Sequence, residues 1–311
     1  MYPGVFCLRA FCLRAFCLRQ ALCCCVIVTS LASAAFAQQQ NVLPEAPRKT
    51  AAPPAATLFP FHPMAEWQDR RFIFLSCPKG SSDTAYQDFS GKRLRKDYAG
   101  RIVKVTAVSD FSGRQHLDLA MEDNGEKLRA RTVPRRESLE GLLLLDDLTR
   151  ARQTWEGQTL WSRQMRLFTY DEATDALGSL TIKRYSALKV VAVAPGWDVE
   201  KPLRFTLETA DGQRGFMDVN LSGTNVPPEL RQLSRFEENF LTEDPRLKHK
   251  WPASLWAALE SNRILTGMTM EQVRMSWGEP TQIARVATGE QWTYASGKLS
   301  FNQNGALTNW H

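Results

Sequence analysis

The sequence predicts an α+β protein: one or two small β-barrel-like modules, then a C-terminal ααβββ domain. Three observations carry this. Residues 66–226 hold short runs that alternate apolar and polar residues, broken at hairpin-type turns such as Asp123-Asn124-Gly125 and Asp211-Gly212. Two of these stretches share one internal order. Residues 250–311 switch to helical spacing and then return to alternation.

The amino terminus belongs to none of these modules. Phe6-Cys7-Leu8-Arg9-Ala10 recurs at 11–15 and nearly at 16–20, and an apolar run of 17 residues follows from Ala21 to Ala37. The run ends in Ala35-Phe36-Ala37 before Gln38, a small-x-small processing site, so residues 1–37 read as a signal peptide cleaved after Ala37. An uncleaved anchor is the alternative, since the run is at the short limit for a span. Lipidation at Cys23, Cys24 or Cys25 is a third, although no good lipobox precedes them. Either way the expectation is an exported chain, periplasmic or associated with the outer membrane.

Processing removes Arg9, Arg14 and Arg19 and no acid, which halves the net charge of +6. The remaining surface is mixed, and bulk charge gives no case for nucleic acid. Six of the seven cysteines lie in the leader, so the mature chain keeps Cys77 alone and folds without an internal disulfide. Residues 38–65 form a Pro/Ala-rich linker of extended character.

The middle of the chain carries a candidate duplication. YAGRIVKVTAV at 98–108 precedes LDLAME at 117–122 and a strand at 128–133. YSALKVVAV at 185–193 precedes LRFTLE at 203–208 and a strand at 215–221. Each unit has an earlier strand candidate, Arg71 to Leu75 and Thr159 to Thr169, and four or five short strands per unit suggest SH3-like barrels. Module 1 spans 66–155 with a trailing helix at 136–152, module 2 spans 156–226, and a helical connector occupies 227–249.

At the carboxy end, Thr269 and Gln272 form a capping box. Met270, Val273 and Trp277 then fall on one helical face. Gly278 suits the position after the helix and Pro280 prevents continuation. Residues 252–262 read as a preceding helix with Leu255, Trp256 and Leu259 on one side. Strands follow at 291–294, 298–301 and 306–310, the last entered through Asn304-Gly305.

This segment resembles the SmpA/OmlA family, whose fold is also called BamE-like. The resemblance lies in Gly267, Met268, Thr269, Val273, Gly278, Pro280, Trp292, Tyr294, Phe301, Asn302, Gly305 and Leu307, within residues 250–311. It implies a small envelope domain that binds protein. The type member is an accessory subunit of the outer-membrane β-barrel assembly machine, and a similar fold occurs in secreted inhibitors of β-lactamases. A protein-binding accessory in outer-membrane assembly or envelope integrity is therefore the leading functional expectation. A secreted hydrolase inhibitor is an alternative.

Residue chemistry points away from catalysis. Cys77, beside Lys79, is the nucleophile a secreted enzyme would use, but His62, His116, His249 and His311 lie in no catalytic motif. No zinc spacing, phosphate-binding glycine loop or nucleophile elbow occurs in the mature chain, so neither metal nor cofactor is expected. Binding candidates are aromatic and basic. Trp256, Trp277, Trp292, Tyr294 and Trp310 would form a partner surface, since tryptophan is enriched at interface hot spots. Lys92, Arg93, Arg95 and Lys96 would touch anionic lipid or cell wall, or simply guard a hairpin edge. Sequence does not fix the oligomeric state.

Overall fold

The computed structural model describes residues 59–75, 86–92, 98–132, 138–139, 141–197, 200–231 and 235–311. The signal peptide, residues 38–58 of the linker, Cys77, Arg93, Arg95 and Lys96 lie outside them.

The first sheet contains β1 (Arg71–Phe74), β2 (Tyr86–Asp88), β3 (Ile102–Phe111), β4 (Arg114–Met121), β5 (Lys127–Arg131) and β6 (Leu142–Leu144) in the order β2-β5-β4-β3-β1-β6. The second contains β7 (Thr159–Ser162), β8 (Arg166–Asp171), β9 (Ala176–Thr181), β10 (Ala187–Pro195), β11 (Leu203–Glu208), β12 (Arg214–Val219) and β13 (Phe240–Leu241) in the order β13-β7-β10-β11-β12-β8-β9. Apart from the extra β9, the two orders are the same. The long strand of each sheet also bulges at the same place in its repeat, between Val105 and Ala107 in β3 and between Val190 and Ala192 in β10. A bulge bends a strand and sharpens its twist, so equal placement gives both sheets the same curl.

Alternation sets the cores. In β1, Phe72 and Phe74 enter the first core with Trp67, Tyr98 and Leu117, while Ile73 faces the second. In β6, Leu142 and Leu144 face the first core and Leu143 the second. These two strands are therefore buried on both faces. Helix α1 (Leu145–Trp155) follows and lays Leu148, Ala151 and Trp155 on the second core, where Trp155 stacks on Phe236 with centroids 4.3 Å apart. Asn225 ties the two sheets together. Its side chain donates to the carbonyls of Leu139 and Leu142 at 2.8 and 2.6 Å and accepts from the Leu139 amide at 2.6 Å.

Two short helices, α2 (Phe236–Asn239) and α3 (Pro245–Lys248), flank β13 and lead to α4 (Ala253–Glu260) and α5 (Met270–Trp277). A third sheet closes the chain with β14 (Gln282–Val286), β15 (Gly289–Tyr294), β16 (Gly297–Asn302) and β17 (Leu307–Trp310), in sequential order.

The expected fold class needs correction. Among the described residues strand outweighs helix, 43% against 18%, in three antiparallel sheets of which one is a half-barrel, rather than one or two small β-barrel-like, SH3-like modules followed by a BamE-like ααβββ domain. Three physical reasons account for this. A run of leucines has no period of two, so Leu142–Leu144 reads as part of the helix expected at 136–152. Burial on both faces makes that run a strand. The terminal sheet has four strands, because Gln282–Val286 pairs along its full length with β15. Finally, the core of the last segment includes Tyr185, which comes from the second sheet's chain.

Candidate functional site

The second sheet turns its inner residues toward α1 and leaves an aromatic outer face. In β8, Leu167 points inward, so Phe168 and Tyr170 must point outward. Phe216 of β12 lies directly opposite Phe168, and Leu177 of β9 directly opposite Tyr170. Trp197, just after β10, joins them. Tyr170 and Trp197 meet edge to face at 5.1 Å, Trp197 and Phe216 at 5.4 Å, and Phe168 and Phe216 lie 5.9 Å apart.

Arg204 of β11 fixes this array. Its guanidinium carbon sits 3.6 Å from the Trp197 centroid and 3.7 Å from the Phe216 centroid. The guanidinium also pairs with both carboxylate oxygens of Asp218 on β12, at 2.8 and 2.7 Å. A two-pronged ion pair holds the plane of the guanidinium, and cation–π attraction then holds the rings against it. The rings are ordered in advance and yet accessible: Phe168 and Tyr170 are each 40% exposed and Trp197 47%, and Leu177 beside them is 59% exposed.

The β8–β9 hairpin supports Tyr170 from its tip. Asp171 accepts from the Ala173 amide at 3.0 Å and from the Thr174 hydroxyl at 2.7 Å, which holds its carboxyl below the ordinary range. Asp175, with φ of 52°, accepts from the Tyr170 hydroxyl at 2.5 Å, and this hydrogen bond raises the phenol. Gly178 stands opposite Thr169, and a Cβ there would come within 2.6 Å of the Thr169 hydroxyl oxygen. Rings arranged this way, with no reactive group among them, can dock an apolar or aromatic surface.

The residues singled out from sequence are placed differently. Trp256, Trp292 and Tyr294 are buried in the core of the last segment. Tyr294 donates to the Gly278 carbonyl at 2.9 Å, and burial pushes its phenol up to about 12. Trp277 is half-buried, donates its ring N–H to the Asn262 carbonyl at 3.1 Å and packs edge-on against Tyr294. Trp310, on β17, is 44% exposed. Lys92 is exposed beside the Asp88 turn, whose carboxylate accepts from the Lys92 amide at 2.9 Å. The structure thus gathers three of the tail aromatics into one core and gathers Phe168, Tyr170 and Trp197 on a surface, over the buried ring of Phe216. The signal for the latter was present: Arg166-Leu167-Phe168-Thr169-Tyr170 alternates, with two aromatics on the parity opposite Leu167.

Among the described residues no group of three or more His, Cys, Asp or Glu side chains could hold a metal ion, and no helix is long and apolar enough to cross a membrane. No family model, curated protein or solved structure matches the chain.

Proposed function

We propose that this is an exported cell-envelope protein that works by binding another protein, and that the outer aromatic face of its second sheet is the docking surface. The observation that carries the reading is the exposed, prearranged set of Phe168, Tyr170, Leu177 and Trp197 around the Arg204–Asp218 pair. Solvent-facing rings locked into place lose little freedom on association, which favours binding. Export is supported by the basic leader, the apolar run and the Ala35-Phe36-Ala37 site. An accessory role in outer-membrane protein assembly or envelope integrity draws only on the motif resemblance of residues 267–307.

Photocrosslinking in the native host tests both halves. A crosslinking side chain in place of Leu177 should give an adduct of defined mass in the envelope fraction, from a chain whose amino terminus is Gln38. Replacing Tyr170 and Trp197 together by alanine should abolish the adduct while the protein still accumulates. An adduct that survives the double replacement, or a chain retained in the cytosol, would refute the proposal.

A further inference from the structure

A groove of about 730 Å³ lies between the second sheet, the segment around α3, and α5. It is lined by Arg163, which follows β7, and Arg184, which precedes β10. The Arg184 Nε donates to the Arg163 carbonyl at 2.6 Å, and its Nη1 donates to Asn262 Oδ1 at 2.9 Å and to the Met275 carbonyl at 3.1 Å. Arg163 Nη1 donates to the Glu237 carbonyl at 2.9 Å. Both guanidiniums are thus fastened by neutral oxygens, and among the described residues neither has a carboxylate partner. Burial holds Arg184 below its ordinary range, Tyr185 opposes this, and the charge of Arg163 adds to it.

Two neighbouring cations, partly removed from water and with no carboxylate at ion-pair distance among the described residues, are unfavourable unless an anion joins them. The fork of an arginine matches a carboxylate or phosphate through paired N–H donors, which Arg163 can offer, while Arg184, its Nε and Nη1 already committed, has Nη2 left to donate. The groove's other charges choose between these. Glu238, Glu243 and Lys248 also line it and have no ion-pair partner among the described residues, so the uncommitted carboxylates outnumber the lysine, whereas Glu279 is held by Arg274 at 3.0 Å. Uncommitted carboxylates repel a dianion and attract an ammonium group. Leu241, Pro245 and Met275 add apolar wall.

We propose that this groove binds the carboxylate end of a short peptide or peptide-like zwitterion, with the carboxylate on Arg163 and Arg184 and the amino group toward Glu238 and Glu243. The site is separate from the aromatic face and does not depend on it.

The test is calorimetric titration of the full chain with trialanine, with trialanine carboxamide and with inorganic phosphate. The free acid should bind saturably and the amide about tenfold more weakly or less. Arg163→Gln should weaken the acid about tenfold, to the level of the amide, while the protein stays folded and the Leu177 crosslink is kept. Arg163→Lys keeps the charge but loses the fork, and should also weaken the acid. Equal binding of acid and amide, absence of binding by either, or displacement of the peptide by equimolar phosphate would each overturn the proposal.

Discussion

Asp147 is the residue whose chemistry is most altered by the fold. It sits in the first turn of α1, where acids are normally favoured, but it is also buried. Its carboxylate accepts from the Ser222 hydroxyl at 2.6 Å. Burial outweighs that hydrogen bond and pushes the carboxyl from 3.8 up to about 6. A folded-state value above the unfolded one means that the native chain binds the proton more tightly. The resulting stabilisation is complete below about pH 4 and is lost as pH rises through about 6, a swing on the order of 3 kcal/mol. Urea unfolding should therefore show less stability at pH 7 than at pH 5. Asp147→Asn should flatten the part of that slope due to this carboxyl and leave the protein more stable at pH 7. An unchanged slope in the variant would place the ionisation elsewhere.

Elements differ in how locally they are specified, and the capping box of α5 is the most local. Gln272 Oε1 accepts from the Thr269 amide at 2.9 Å, and Thr269 Oγ1 accepts from the Gln272 amide at 3.3 Å. Thr269→Ala frees one orphan donor and should cost about 1 kcal/mol in chemical denaturation, recovered in good part by Thr269→Ser. A loss of nothing would mean that solvent substitutes fully for the cap. Such features could be read from the chain because the partners lie within four residues of each other. The β3–β5 and β10–β12 meanders were readable for a similar reason, since tight turns and alternation fix each hairpin. β6 was not readable, because what makes Leu142–Leu144 a strand is a second core on its far side. β14 escaped notice because Gln282–Val286 is half-exposed and carries little apolar contrast. The aromatic face suffered a related ambiguity. Alternation says that Phe168 and Tyr170 share a side, but only the packing of α1 says that this side is the solvent one.

At the scale of the whole molecule, the terminal segment and the second sheet meet around Arg184 and Tyr185, and Tyr185 supplies the ring. Tyr185 lies in the core with Trp256, its ring edge-on to that indole at 5.9 Å. Its hydroxyl donates to the Met275 carbonyl at 2.5 Å, and its own carbonyl accepts from Arg246 at 3.0 Å. Its φ of 58° is a sparsely populated conformation for a bulky side chain, held here by contacts on both sides. Because a single ring serves both bodies, they should unfold together. Tyr185→Ala would remove the ring and open a cavity beside Trp256, at a cost of about 3–5 kcal/mol concentrated in the terminal segment. Hydrogen exchange should then speed up in α4, α5, β15 and β16 while β3 and β4 of the first sheet stay protected, and the single melting transition should split in two. Tyr185→Phe, which keeps the ring and loses the hydroxyl, should preserve one transition at lower stability. If alanine instead loosened all three sheets equally, the coupling would have to reside in the other links, such as those of Arg184 to Asn262 and Met275, rather than in this tyrosine.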